Sequence, residues 1–276
     1  MLVRKRAGEF AIRFMLMSAA IVWVQWTSLP MPMLWLIGLA LLVYMLYRLG
    51  SFSLSKISNS IRETSILALL MIIGFILYYL CGEMIRNSLI DHKAWGIILS
   101  RLSLILFVLP FAITTMFIRE KPLYLAKGTW MTTIHFPWIF KGPIKDPIWR
   151  FMLIFLVIIC AIFSFFIEWG QPKFLVLVGY ALSFALINSI LEELLWRGFI
   201  LSYFVSRFGD IQGLIIAGTA FGLYHYHLGF SWLVCLLFSL FGIMMGGVAI
   251  RSLGLLPVTI MHFVMNILFV LSGMIL

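Results

Sequence analysis

The chain has 276 residues, 63% of them hydrophobic and only 11% charged, with a mean hydropathy of +1.12 and a formal net charge of +10. This composition lies far outside that of soluble domains and reads as a polytopic membrane protein. The basic residues are scattered between apolar segments and form no single face or stripe, which argues against nucleic acid and makes the lipid bilayer the partner.

A helix needs about 20 apolar residues to cross a bilayer. On that measure nine spans are expected, near 10–29, 31–47, 64–84, 96–118, 151–169, 173–196, 211–229, 231–250 and 254–275. The second is short and follows the tight turn "SLPMP", so eight spans with a re-entrant hairpin is the other count. The fold class is therefore all-α and polytopic, with about 8–9 transmembrane helices and a polar site among the C-terminal spans. No A-x-A-like cleavage site follows a short apolar region after "VRKR", so 10–29 reads as an uncleaved first span. Cys81, Cys160 and Cys235 stand in apolar runs without metal-type spacing, which speaks against disulfides and structural zinc.

Loop charges orient the chain. With the N-terminus cytoplasmic, fourteen basic residues lie inside and three outside, Arg86, Lys93 and Lys173, in keeping with the positive-inside bias. The longest connection, 119–150, mixes six basic residues with Trp130, Phe136, Trp138, Phe140 and Trp149 and is broken by Pro122, Pro137, Pro143 and Pro147. Rings and lysines together suit the headgroup layer. The chain thus divides into N-terminal spans at 1–118, a cytoplasmic interfacial loop at 119–150 and a C-terminal set at 151–276. The C-terminus "LSGMIL" carries no retention signal, and a bacterial plasma membrane is the expected location.

Charged residues at membrane depth cost roughly 2.5–3.5 kcal/mol each even on lenient scales, so intramembrane ionisable residues are candidates for function. Arg13 and Arg101 lie near span starts, where a long side chain can snorkel, and Glu83 and Glu168 lie at span ends. Another set is concentrated: Glu192, Glu193 and Arg197 in "EELLWR", Phe221 and His225 in "FGLYH", and His262 and Asn266 in "HFVMN". Glu193 and Arg197 are i and i+4 and can pair on one helix face, as can His262 and Asn266; Glu192 points about 100° away from Glu193. In "RFGDIQG", Gly209 should end one helix and Asp210 cap the next. Glu192 and His225 are then both about 24 Å from that turn at 1.5 Å per residue, level in an antiparallel hairpin. His227 falls on another face and reads as structural.

A carboxylate and an imidazole flanking a cavity can deprotonate water, a role for Glu192 and His225. An amide beside an imidazole can hold an oxyanion, a role for His262 and Asn266. The alternative reading is catalytic zinc on Glu192, His225 and His262, although H-E-x-x-H is absent and no G-x-S-x-G elbow is present.

These three motifs resemble those of the CPBP superfamily of intramembrane proteases, which includes the type II CAAX prenyl endopeptidases and the bacteriocin-processing or Abi proteins. The pattern E-E-x-x-x-R, F-x-x-x-H, H-x-x-x-N occurs in that order, each on its own expected span, and the resemblance covers about 150–276. It implies endoproteolysis of a membrane-associated or lipidated peptide or protein, with Glu192 and His225 activating water, His262 and Asn266 stabilising the oxyanion, and Glu193 and Arg197 architectural. No cofactor is expected on this reading, with zinc as the alternative. Two other classes remain open: a non-catalytic membrane scaffold or regulator of the same fold, and a transporter or proton relay, which no repeat or broken helix supports.

Overall fold

The computed structural model describes residues 56–118, 121–137 and 139–276. The expected spans at 10–29 and 31–47, and Arg13, lie outside the described residues. Helix α1 (Lys56–Ser88) and a 3-10 turn (Ile90–His92) lead into α2 (Lys93–Ser100), a second 3-10 turn (Arg101–Ser103) and α3 (Leu104–Ile118). After a connecting strap come α4 (Ile148–Ser164), α5 (Phe174–Glu193), a π-helical segment (Leu194–Leu201), α6 (Ser202–Phe208), α7 (Asp210–Tyr224), a 3-10 turn (His225–Leu228), α8 (Trp232–Ser252) and α9 (Leu256–Leu271).

Among the described residues four helical stretches are long and apolar enough to cross a membrane: Ile66–Ser88, Ile90–Phe117, Phe174–Phe208 and Trp232–Ser252. Helices α4 and α9 are apolar but shorter. The span expected at 211–229 is the 15-residue α7 and its 3-10 turn; α7 alone is about 22 Å long at 1.5 Å per residue, short of a bilayer core of about 30 Å. Large apolar side chains such as Met116, Phe117, Phe165, Leu175 and Leu233 point outward, as helices bathed in lipid require and a water-soluble surface does not tolerate in such number.

Packing joins the two halves of the described chain. α1 packs on α3, α2 on α5, α5 on α9, and α7 on α8. One buried cluster runs from Leu67 on α1 through Ile134 to Phe269 on α9, and a smaller one joins Ile98, Ala181, Phe184 and Val270.

One reversal of the chain follows from glycine. Gly209 has φ +82°, which ends α6 and reverses the chain into α7, a conformation cheap only for glycine. It is also the residue that precedes α7, so Asp210 is the first helical residue and makes no capping bond. The expected cap is displaced by one, and Asp210 acts from the first turn, where an acidic side chain favours the positive helix end.

The 119–150 segment departs from the all-α expectation. Strands β1 (Thr133–Phe136) and β2 (Ile144–Pro147) pair antiparallel, Thr133 opposite Pro147 and Phe136 opposite Ile144. The strap is fastened over the helix ends: Leu123 N donates to Ser202 Oγ at 3.0 Å, Thr129 N to the Ser252 carbonyl at 2.8 Å, and Leu255 N to the Ala126 carbonyl at 2.9 Å. Arg251 Nε donates to the Thr133 carbonyl at 3.0 Å. Gly128 and Gly254 meet so closely that a Cβ on Gly254 would lie 2.2 Å from Gly128 N. Backbone polar groups that a free loop gives to water are here paired with the bundle.

Candidate active site

Five elements carry the seven residues of the motifs: α5, the π segment, α7, the 3-10 turn after it, and α9. Glu192 and Glu193 are the last residues of α5, and Arg197 stands in the π segment that continues it into α6. π turns are rare and widen one turn of a helix; here the turn follows directly on the two carboxylates. α7 is held against α8 by glycines. A Cβ on Gly222 would sit 2.1 Å from Ser239 Oγ and 2.4 Å from the Cys235 carbonyl, and one on Gly218 would meet the Ile243 backbone at 2.7 Å. Such small-residue seams let membrane helices approach backbone to backbone, and this one sets the position of Phe221 and His225 on the same turns. Pro257 opens α9, where its missing N–H costs nothing, and His262 and Asn266 follow.

All of Glu192, Glu193, Arg197, Phe221, His225, His262 and Asn266 are buried. Arg197 Nη1 donates to Glu193 Oε1 at 2.9 Å, the pairing that i and i+4 spacing anticipates. Glu193 Oε1 also accepts from His262 Nδ1 at 2.7 Å. This second bond fixes which nitrogen of His262 is turned away and directs Nε2 toward Glu192, whose Oε2 lies 3.5 Å off. Glu192 therefore has His262, not His225, as its nearest imidazole. His225 Nδ1 donates to the Phe221 carbonyl at 2.8 Å, which leaves Nε2 without its proton in the neutral ring. The Phe221 ring separates the parts: it lies 4.8 Å from His225, 6.0 Å from His262 and under the Arg197 guanidinium at 4.3 Å.

A cavity of about 510 Å³ takes in Glu192, Phe221, His225, His262 and Asn266 together. Glu193 and Arg197 stand behind it and are not part of its wall. Glu192 Oε2 and Asn266 Nδ2 are buried without a hydrogen-bond partner, as is Asn188 Oδ1. Buried polar atoms are almost always satisfied, so these atoms on one cavity wall have capacity left for a polar group in the cavity.

Several wall residues stand outside the three motifs. Arg101, expected from its place near a span start to snorkel to the interface, is instead 8% exposed and turned into the cavity; the chain is already inside the bundle at α2. Arg101 Nη1 donates to the Tyr78 hydroxyl at 3.2 Å. Glu83 and Arg86, paired at 2.6 Å, also reach the wall. His227 joins it too, because the 3-10 turn after Tyr224 rotates it back, with Nδ1 donating to the Tyr224 carbonyl and Nε2 3.4 Å from Tyr78 OH. Only the charges themselves signalled these residues; which way they point depends on packing between distant helices.

Zinc on Glu192, His225 and His262 finds no prepared ligand set. Among the described residues no group of three His, Cys, Asp or Glu side chains is placed to hold a metal ion; the Nδ1 bonds of His225 and His262 leave each Nε2 as the nitrogen that a metal would take.

Residues 172–268 match the family described as Type II CAAX prenyl endopeptidase Rce1-like. The matched stretch contains all three motifs and agrees with the resemblance drawn from them; together with the apolar helices it marks a membrane peptidase. No curated protein and no solved structure matches the chain.

Proposed function

We propose that the protein is an intramembrane endopeptidase acting on a membrane-associated or lipidated peptide or protein, through a water activated by Glu192. The observation that carries the proposal is the single cavity that gathers Glu192, His225, His262 and Asn266, with Glu192 Oε2 held only by the 3.5 Å contact to His262 Nε2 and Asn266 Nδ2 without a hydrogen-bond partner.

In this mechanism a water between Glu192 and His225 gives a proton to Glu192 Oε2 while its oxygen attacks the scissile carbonyl carbon, and His225 Nε2, free in the neutral ring, accepts the second hydrogen bond of that water. The carbonyl oxygen becomes an oxyanion held by Asn266 Nδ2 and His262 Nε2. His262 can donate from Nε2 only when both ring nitrogens carry hydrogen, because Nδ1 already donates to Glu193. Glu193 orients the ring through that bond, and Arg197 holds Glu193 in turn. Glu192 then returns its proton to the departing amine as the C–N bond breaks.

The strap carries Lys121, Lys127, Lys141 and Lys145, and Arg207 and Arg251 stand at the helix ends beside it. This charge favours a cytoplasmic strap and N-terminus, in a bacterial plasma membrane. The wall residues Arg86, Leu228 and Met274 belong to the opposite helix ends, so the cavity opens away from the strap. The total of eight or nine spans belongs to this proposal as well.

The experiment is comparative peptidomics of cells carrying the wild type or Glu192→Gln, with the inserted protein quantified in both. Peptides that appear only with the wild type support proteolysis; identical peptidomes overturn it and leave the scaffold reading. Metal analysis of the purified active protein decides between the metal-free and zinc forms of the mechanism.

A further inference from the structure

Arg101 lines the cavity, yet its charge has no part in the catalytic steps. It enters from the turn between α2 and α3, outside the segment that matches the family. Its guanidinium is stacked 5.4 Å from the Phe184 ring, Nη1 is bonded to a neutral hydroxyl, and Nε is buried with no partner. The neighbouring cation, Arg86, has its own acid in Glu83 at 2.6 Å and donates to Ser100 Oγ at 3.3 Å. Arg197 likewise has Glu193. Arg101 is thus a buried guanidinium with donors to spare, facing the cavity that holds Glu192.

A guanidinium offers five N–H donors in a fixed fork that fits a carboxylate edge to edge. Glu192 interacts with this charge across the cavity, yet the side-chain hydrogen bond of Arg101 goes to a neutral hydroxyl; a buried donor without an acceptor is costly, and a ligand carboxylate that supplies one recovers part of that cost. Much of the remaining wall is apolar, with Phe184, Phe230, Phe238, Phe241 and Phe269. Cation and aromatic wall together select a molecule with both an apolar body and an anion.

We propose that the cavity binds an apolar carboxylate, with Arg101 as its anion receptor. The carboxylate comes either from a peptide or from a fatty acid. For a peptide, this assignment rests on the peptidase reading and places a free carboxylate of the substrate on the Arg101 side of the cavity. Binding itself does not depend on cleavage.

The test measures binding to the full-length protein in nanodiscs by calorimetry. Wild type is titrated with dodecanoic acid and with dodecanol. Protein carrying Glu192→Gln is titrated with an N-acetylated apolar tripeptide as the free acid and as the C-terminal amide. In at least one pair the acid binds about tenfold or more tightly than its neutral counterpart, the effect expected of one charge-assisted hydrogen-bonded pair; which pair shows it identifies the source. Arg101→Gln removes the preference and leaves binding of the neutral member unchanged, while Arg101→Lys, a point charge without the fork, retains a reduced preference. Equal affinity for acid and neutral forms in both pairs overturns the proposal. So does an Arg101→Gln variant that weakens both members alike, which is the signature of a purely structural arginine. If that variant does not insert, the acid-to-neutral ratio on the wild-type and Glu192→Gln proteins decides alone. A missing peptidase activity combined with a preserved acid preference separates failure of the catalytic reading from failure of this one.

Discussion

His262 Nδ1 donates to Glu193 Oε1 at 2.7 Å, across 69 residues of sequence, inside a site where the same oxygen already accepts from Arg197. This bond ties α9 to the end of α5. Through it the second glutamate of "EELLWR" orients the imidazole that faces Glu192.

Removing Glu193 should accordingly cost both stability and geometry. Glu193→Ala leaves Arg197 buried without its carboxylate and is expected to destabilise by about 3–5 kcal/mol. Glu193→Ala combined with Arg197→Met is expected to recover part of that loss. A double-mutant cycle by thermal unfolding in detergent checks the coupling; additive effects would show that the pair is not linked as its geometry indicates.

Glu192→Gln preserves shape and removes the proton acceptor. Cleavage should fall by roughly 10²–10⁴-fold, the range of a lost general base, with unfolding temperature and membrane insertion unchanged. Turnover assays on a substrate identified by peptidomics measure this, and retained activity would rule out the role given to Glu192.

The α7–α8 seam has no room for a methyl group at Gly222, where Ser239 and the Cys235 carbonyl would be met within 2.4 Å. Gly222→Ala should cost about 1–3 kcal/mol through overpacking and displace His225, three residues on. The expected result is a lower unfolding temperature together with reduced activity, while Gly170→Ala, a site with nothing within 4 Å, changes neither.

Burial, and secondarily the charge of Asp210, hold the Tyr124 hydroxyl in the strap above the ordinary tyrosine range. An acid whose folded-state value is raised favours its neutral form in the fold, so its contribution is complete below the unfolded value of about 10 and declines as pH rises beyond it. Limited proteolysis of the strap should therefore accelerate above about pH 10, and Tyr124→Phe should lessen that acceleration.

The side of the membrane on which the strap lies is open to direct measurement. In a background with Cys81, Cys160 and Cys235 replaced, Lys127→Cys should be shielded from an impermeant thiol reagent applied to intact cells and Lys93→Cys labelled by it. The reverse pattern would invert the orientation and turn the cavity mouth toward the cytoplasm.

Membrane character, the reversal at Gly209, the Glu193–Arg197 pair and the three motifs were all legible in the chain of residues, because each rests on composition or on spacing within one helix. Local periodicity carries that much. The strap hairpin was not legible, since residues 133–136 and 144–147 become strands through pairing with each other and the strap's backbone is satisfied by the distant turns around Ser252 and Leu255. Nor was the choice of Glu192's neighbour: matched depth suggested His225, whereas the rotation of α9 against α5 brings His262 closer. Arg101 shows the same limit most clearly. One residue's distance from a span end does not reveal whether it meets lipid headgroups or a cavity, and only the packing of α1–α3 against α5 decided that it faces the glutamate.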